Sequence, residues 1–341
     1  MFKPFSGVVS LVCVVFLAVP LAAQSTDTIG VRAQGMGGAF TAVADDATAS
    51  WWNPAGMAGG AYFNALLEYA RHQEPPSDHT GAGDPQSAWR ATTRSFAVAF
   101  PALGLSYYRL QVSEIQPHAS TGTTAGVRQE GGATEVRLRT LVLSQFGASV
   151  GQSLGSHLVV GSTFKLVRAG AASQIQATGS LDDAAGIDPS EETHAGLDVG
   201  AMAVFGPARI GLMVRNVGES EFGSGADAFT LGRHARVGAA VSSGTRGIIG
   251  GATAAVDADL TKTTTVFGEE RRVAAGGELW TSARTFGFRG GVGVNTIGER
   301  RTSLSGGLSA AVKKGMYADG EITGGTDQGR KGWGVALRVT F

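Results

Sequence analysis

The chain has 341 residues, with 28 Lys and Arg side chains balanced by 28 Asp and Glu side chains, and a single cysteine. This zero balance argues against a nucleic-acid-binding protein, whose basic residues would be in excess and clustered. Hydrophobic residues make up 43% of the chain and charged residues 16%, which excludes a disordered, highly charged chain. The 52 glycines occur with only 10 prolines and no Gly-X-Y period, which is typical of many strands and bends and not of collagen.

The N-terminus has the order of a secretory signal peptide. Lys3 precedes an uncharged apolar run, residues 8–19, which is followed by Pro20 and small residues. The run is shorter than the ~20 residues that a spanning helix needs. We therefore expect residues 1–23 to be removed on export, and with them Cys13, so that the mature protein has no disulfide.

Fourteen strands are predicted after a stretch, residues 24–60, that is rich in Gly and Ala and has no regular alternation. From residue 61 to 341, apolar residues alternate with small or polar ones, the period-2 pattern of strands with one apolar face. The predicted strands lie near residues 61–71, 90–100, 102–113, 134–151, 155–169, 193–206, 208–217, 230–243, 246–257, 269–282, 284–296, 300–313, 315–326 and 329–341.

The connections between these strands favour a membrane barrel over a soluble sandwich. Long polar connections, such as residues 114–133 and 170–192, alternate with tight ones, such as residues 151–154. Long and short connections at opposite ends of an even, antiparallel set are typical of outer-membrane barrels. We predict an all-β fold, a 14-stranded antiparallel transmembrane β-barrel, over residues 61–341. The last strand ends in Phe341, which resembles the terminal aromatic signal that barrel-assembly machinery recognises.

The same alternation divides the strand residues between lipid and lumen. Leu304 and Leu308 are expected to face lipid, whereas Ser305 is expected to face the lumen. The charged residues that we assign to the lumen are Arg137, Arg139, Asp198, Arg236, Glu278, Arg289 and Arg338.

Three motifs near the N-terminus carry a family resemblance. They are G-x-R-A-x-G-M-G-G-A-F from Gly30, A-D-D-A-T from Ala44 and W-N-P-A-G from Trp52. Together they resemble the N-terminal signature of PorV/PorQ-type outer-membrane proteins and, more distantly, of FadL-like long-chain fatty-acid transporters. The resemblance implies a fourteen-stranded barrel with residues 24–60 folded into its lumen as a plug. It also implies either passage of hydrophobic molecules or service to a secretion system.

The composition of the plug-like segment agrees with a place in a confined lumen, because small residues let the backbone pack closely. Asp45 and Asp46 are expected either to cap a short helix or to pair with arginines of the wall. Asn53 and Pro54 are a turn signal, which we expect to end the plug and begin the first strand. The candidate residues of the segment are Gly35, Gly37, Gly38, Asp45, Asp46, Asn53 and Pro54.

Other motifs give no support for an enzyme or a metal site. The G-x-S-x-G match at residues 147–151 lies at a strand end, not at the strand-to-helix turn that a nucleophile elbow requires. The six histidines are scattered, and the acidic residues of the loop at 182–192 lack the spacing of a calcium site, so we interpret that loop as solvated. We expect no catalytic residue, no metal and no cofactor.

Two functional classes remain open. In the first, the protein is a conduit or binding pore for small hydrophobic molecules in the cell outer membrane. In the second, it is a non-conducting accessory of a secretion system, a docking or shuttle protein for exported proteins. The expected partners are outer-membrane lipid, the barrel-assembly machinery, and either hydrophobic small molecules or exported proteins, with no nucleic acid.

Overall fold

The computed structural model describes residues 29–74, 87–118, 135–265 and 268–341. The expected signal peptide, residues 1–23, lies outside these ranges. Within them, no helix has both the length and the apolar character that crossing a membrane would require.

The strands follow one another along almost the whole described chain. They are β1 (Asn64–Glu74), β2 (Ala88–Phe100), β3 (Leu103–His118), β4 (Glu135–Leu154), β5 (Leu158–Gln176), β6 (Glu192–Phe205), β7 (Ala208–Arg215), β8 (Ser220–Phe222), β9 (Phe229–Leu231), β10 (His234–Ser243), β11 (Ile249–Asp259), β12 (Thr263–Thr265), β13 (Gly268–Glu270), β14 (Arg272–Thr281), β15 (Phe286–Asn295), β16 (Thr302–Lys313), β17 (Met316–Gly325) and β18 (Gly332–Thr340).

Fourteen of these described strands, all except β8, β9, β12 and β13, form one closed antiparallel barrel. Each pairs with its neighbour along the chain, and the barrel closes where β1 pairs with β18, with Asn64 opposite Thr340. The predicted fold class and strand count are therefore confirmed, and the period-2 pattern explains why. Leu304 and Leu308 on β16 are 61% and 47% exposed on the outside, whereas Ser303 and Ser309 are buried on the inside.

Two short hairpins were not predicted. The strands β8 and β9 pair with each other within the connection between β7 and β10, and β12 and β13 pair between β11 and β14. Phe222 and Phe229 of the first hairpin stack at 5.4 Å and belong to a buried apolar cluster with wall residues near the end of the barrel that carries the long connections. We call this the mouth cluster; its members are Trp89, Ala91, Leu110, Val112, Leu141, Leu143, Val167, Ala169, Phe222, Phe229 and Leu231.

The long connection between β5 and β6 carries a short helix, α3 (Leu181–Ala185), which packs against β3 and β4. Asp183 closes a capping box with Ser180, and the hydrogen bonds from Ser180 lower the pKa of the Asp183 carboxyl. Asp182 reaches Arg90 at 2.5 Å, although its side chain is 85% exposed. The acidic loop is thus exposed, as expected, but it is also attached to the barrel wall.

The segment before β1 lies inside the barrel. It contains two short helices, α1 (Val31–Gly35) and α2 (Ala49–Trp52), and a 3-10 helix at Pro54–Gly59. Short 3-10 turns also occur at Gly225–Asp227 and Gln328–Arg330. Most residues from 29 to 57 are buried, and they supply most of the largest apolar cluster of the described chain. We call residues 29–60 the N-terminal segment.

Candidate functional site

The N-terminal segment packs backbone to backbone against glycines of the wall. Gly37 has φ +71°, and a side-chain carbon there would lie 2.8 Å from the backbone nitrogen of Val292. On the facing strand, a side-chain carbon at Gly291 would overlap the backbone of Met36. Glycine is therefore required on both sides of this contact, which supports the expected role of small residues in the segment.

One arginine of the segment gathers three carboxylates around it. Arg32 Nη1 lies 2.5 Å from Asp45 Oδ1 and 3.2 Å from Asp46 Oδ2, and its Nη2 lies 2.7 Å from Glu278 Oε1 on β14. The Arg32 side chain is 12% exposed and that of Glu278 only 3%. Because Glu278 also receives a 2.6 Å hydrogen bond from Arg289 Nε, the segment is joined to an ion-pair network of the wall.

The prediction that Asp45 and Asp46 pair with arginines of the wall is wrong. Both contact Arg32 of their own segment, which folds back across 13 and 14 residues to reach them. Asp46 Oδ1 also accepts a 2.9 Å hydrogen bond from the backbone N–H of Thr48, which forms a local turn just before α2. Thr48 is the N-cap residue of α2 and this helix has no side-chain cap, so the alternative role of Asp46 as a helix cap is not seen either.

The wall arginines named from the sequence contact carboxylates of the wall instead. Arg289 and Arg338 lie 3.3 Å and 3.0 Å from Asp319, and Arg236 lies 2.6 Å from Asp259. The remaining predicted charges are Arg139, which pairs with Glu114, Arg137, which is exposed, and Asp198, which is 2.6 Å from Lys165. Arg236 is directly opposite Asp259 on the paired strands β10 and β11, and Arg338 and Asp319 lie on the paired strands β18 and β17, where side chains of the same face meet.

Carboxylates of the wall, which the sequence did not single out, hold the segment's backbone. Glu68 Oε1 accepts a 3.0 Å hydrogen bond from Val31 N, the first N–H of α1. Asp257 Oδ2 accepts hydrogen bonds from the N–H groups of Phe40 at 3.0 Å and Thr41 at 2.9 Å. Buried N–H groups outside regular structure need such acceptors, so the wall supplies anions to the segment.

Asn53 and Pro54 do not end the buried segment, contrary to expectation. The Asn53 amide is fully buried, donates to the carbonyls of Thr41 at 2.9 Å and Ala201 at 3.2 Å, and accepts from Ala55 N at 3.1 Å. A buried amide of this kind must have its donors and acceptors satisfied, and here it ties the segment to β6. The chain leaves the lumen several residues later, and β1 begins at Asn64.

A cavity of about 50 Å³ lies above the segment, between α2 and the mouth cluster. Its lining contains Trp51, Leu143 and Leu231 on the apolar side and several charged side chains, namely Lys165, Arg215, Arg236, Asp259, Glu270 and Arg330. Arg215 lies over the Trp51 ring at 4.3 Å and contacts His234 Nδ1 at 2.8 Å. Trp51 Nε1 and Gln145 Nε2, both from lining residues, are buried donors without a hydrogen-bond partner in the described structure.

A second cavity, about 370 Å³, lies below the segment at the end with short connections. The Arg32, Asp45, Asp46 and Glu278 side chains line it, together with Trp280 of β14. The ion pairs of Arg32 thus face the cavity at this end. Asp45, whose side chain is 35% exposed, is the most accessible of the four charged residues.

The remaining residues singled out from the sequence, Ser149 and Phe341, contact other residues of the barrel. Ser149 lies within β4 and shares a 2.7 Å hydrogen bond with Thr163, so its place is a strand and not a nucleophile elbow. Phe341 follows β18, and its ring stacks on Phe63 at 6.3 Å, just before β1. Its role as an assembly signal stays a prediction. Among the described residues, no three His, Cys, Asp or Glu side chains are grouped as metal ligands would be.

Solved structures of channels share this fold over nearly their whole length. A TodX deltaS2S3 mutant, a monoaromatic hydrocarbon channel, is 12% identical with a TM-score of 0.58, covering 92% of this chain and 99% of that one. The toluene transporter TbuX of Ralstonia pickettii is 14% identical with a TM-score of 0.55, covering 92% and 98%. A FadL homologue of Pseudomonas aeruginosa is 10% identical with a TM-score of 0.55, covering 94% and 99%. These likenesses support the FadL-like barrel that the N-terminal motifs implied.

Sequence comparisons add one family. A family described as "F plasmid transfer operon, TraF, protein" matches residues 53–259, which is more than half of the chain. The curated proteins contain no match.

Proposed function

The chain belongs to the TraF_2 family, the F plasmid transfer operon TraF proteins, and from this premise and its barrel we propose that it is an outer-membrane conduit for small hydrophobic molecules. The barrel has an apolar outer face, with side chains such as Phe164, Leu304 and Ile322 more than half exposed, which suits lipid. The solved channels with this fold are described as carrying toluene or monoaromatic hydrocarbons.

The observation that carries the proposal is the mouth cluster. Lumens of porin-type barrels are polar and filled with water, whereas here Phe222, Phe229 and Leu231 fold in against an apolar part of the wall. An apolar lining inside the lumen favours solutes that partition out of water. The cluster lies directly above the small cavity, since Leu143 and Leu231 belong to both.

Uptake of a hydrophobic dye by intact cells tests the proposal. Cells that produce the protein should take up N-phenylnaphthylamine faster than cells without it, and Phe229→Ser should slow this uptake because it places a hydroxyl in the apolar lining. Ile248→Ser is the matched control, since Ile248 is 86% exposed in a short connection and far from the cluster. Equal uptake with and without the protein would contradict the proposal.

The second candidate is the non-conducting accessory role, as in PorV-like proteins, and two observations favour it. The described strands shift register at only two places, between Ile249 and Gly251 and between Ala311 and Lys313, both beside short connections. The wall around the N-terminal segment is therefore continuous, and the segment lies across the lumen. The family description also refers to a plasmid transfer operon. If deletion of the gene left dye uptake unchanged but reduced protein export or DNA transfer, this role would replace the conduit.

A further inference from the structure

Two arginines lie directly opposite each other on the outer face of the barrel. Arg94 of β2 and Arg109 of β3 are partners in the register of these two strands. The residues next to them, Ser95 and Tyr108, are buried on the lumen side, where the Tyr108 hydroxyl lies 2.5 Å from that of Ser50. Because side chains alternate along a strand, both arginines face outward. Like charges directly opposite in an antiparallel pair repel each other, so the arrangement favours an anion between them.

No carboxylate of the described residues forms an ion pair with either arginine. Arg94 is exposed, and Arg109 Nη1 donates a 3.2 Å hydrogen bond to the uncharged Ser144 Oγ of β4. Arg168 lies further round the same face, on β5, and differs because its Nε is 2.5 Å from Glu191. The positive charge of Arg94 and Arg109 is therefore open to a partner from outside the described chain.

The two arginines mark the upper edge of the apolar band of the outer face. Between them and the tight connection of β2 and β3, every outward-facing residue is apolar or aromatic: Phe96, Val98, Phe100, Leu103, Leu105 and Tyr107. On the other side of the arginines, toward the long connections, the next outward residues are Thr92 and Gln111. The long connections of outer-membrane barrels face the outside, so the arginines lie beside the outer leaflet.

Aromatic residues beside the arginines support this level. Tyr69 of β1 is directly opposite Arg94, and its ring lies 5.7 Å from that of Trp333 on β18. Trp333 is 46% exposed on the outer face. Girdles of aromatic residues occur at the boundary between the hydrocarbon and the headgroups of the membrane. Arg94 and Arg109 are therefore at the height of the lipid headgroups.

We propose that Arg94 and Arg109 bind the phosphate of a phosphorylated lipid of the outer leaflet. A guanidinium presents a planar fork of donors that matches phosphate oxygens, and an anion shared by two such forks replaces their repulsion by attraction. Arg71 of β1, the diagonal neighbour of Arg94, adds a third cation, whose Nε donates to Gln73 at 3.0 Å. The acyl chains of the lipid lie against the apolar face that begins at Phe96 and Tyr107, which a free phosphate ion would leave unused.

The site lies on the outside of the barrel, so it goes beyond the proposed function and does not depend on whether the lumen conducts. Native mass spectrometry of the purified full-length protein in detergent tests it, with lipid A and the same lipid without its phosphates as probes. The two probes share their acyl chains and differ only in the group that the arginines are proposed to bind. Wild type should retain lipid A at a concentration at least about tenfold lower than it needs for the dephosphorylated lipid.

The double variant Arg94→Gln with Arg109→Gln removes both charges and keeps polar side chains at the headgroup level. It should weaken lipid A binding at least about tenfold and leave binding of the dephosphorylated lipid unchanged. The matched control is Arg271→Gln with Arg300→Gln, which removes the same charge from two exposed positions beside β14 and β15. This control should bind lipid A as wild type does.

Four outcomes would overturn the proposal. Equal retention of the two lipids by wild type would do so without any variant. Full lipid A binding by the Arg94 and Arg109 variant, in barrels that heat-modifiable mobility shows to be folded, would exclude these residues. An equal loss in the control variant would assign the binding to general positive charge. Displacement of lipid A by millimolar inorganic phosphate would show that the arginines hold a free anion and not a lipid.

Discussion

Arg32 of the N-terminal segment lies 2.7 Å from Glu278 of the barrel wall, and this pair joins the two parts of the molecule. The contact has the opposite polarity to the one that the sequence suggested, since the segment supplies the cation and the wall the anion. Arg32 also holds Asp45 and Asp46, so one guanidinium closes the segment on itself and attaches it to β14.

The first prediction is that Glu278→Gln loosens the N-terminal segment without removing the barrel. The substitution removes the negative charge that Arg32 and Arg289 share. Because Arg32 keeps Asp45 and Asp46, and Arg289 keeps Asp319, we expect a cost of about 1.5–3 kcal/mol, that of a hydrogen bond to a charged group. Single-channel conductance of the purified barrel in planar bilayers should rise, together with dye uptake by cells. Glu269→Gln is the control, because its pair with Lys262 is exposed. Unchanged conductance of a correctly assembled variant would show that the pair does not hold the segment closed.

The second prediction concerns two adjacent glycines on β15. Gly291→Ala should destabilise the docked segment by about 1–3 kcal/mol, since the added carbon would overlap the backbone of Met36. Gly290→Ala is the matched control, because the nearest atom, Ser305 O, would be 4.0 Å away. Limited proteolysis of the purified barrels should cut the segment faster in Gly291→Ala alone. Equal cleavage of both variants would place the segment away from β15.

The third prediction tests the outward face. Leu308 is exposed on β16, and Leu308→Arg at mid-membrane depth should cost about 2–4 kcal/mol and reduce the amount of assembled barrel. Leu308→Ala keeps the position apolar and should assemble nearly normally. Heat-modifiable mobility on gels measures the folded fraction. If the arginine variant assembled as well as the alanine variant, this face of β16 would not contact lipid.

The barrel could be predicted from the sequence because the period-2 pattern is a local signal that repeats in every long strand. The contacts of the N-terminal segment inside the barrel could not be predicted in this way. Asp45 and Asp46 pair with an arginine 13 and 14 residues earlier, and nothing in the alternation shows that the chain folds back on itself there. The sequence shows only a turn signal at Asn53, because the contacts that bury its amide, with Thr41 and Ala201, are brought together only by the tertiary structure.

The hairpin of β8 and β9 could not be predicted for a different reason. Its strands β8 and β9 have three residues each, too few to show alternation, and polar residues surround Phe222 and Phe229. An isolated aromatic pair in a polar loop was the available signal, since such residues rarely stay in water when a lumen is close by. The wall acceptors Glu68 and Asp257 gave no signal either, because their partners are backbone N–H groups.

The last prediction concerns pH and the loop between β17 and β18. Burial and the nearby Glu270 carboxylate raise the pKa of Asp327 from 3.8 to about 6. The charge of Arg301 and a hydrogen bond from the backbone of Gly329 lower the pKa of Asp327, but they compensate only in part. Because the folded state holds this proton more tightly than the unfolded state, the stability that protonation contributes is full below pH about 4 and is lost as the pH rises through about 6.

We therefore expect the wild-type barrel to lose stability between pH 5 and pH 7 to a greater extent than Asp327→Asn, which carries no titrating group there. Thermal unfolding followed by circular dichroism at both pH values measures the difference, and comparison of the two proteins cancels the other titrating groups. Asp188→Asn, at an exposed position of the loop before β6, should behave as wild type does. An Asp327→Asn variant that keeps the full pH dependence would show that Asp327 is already ionised in the folded barrel at pH 5.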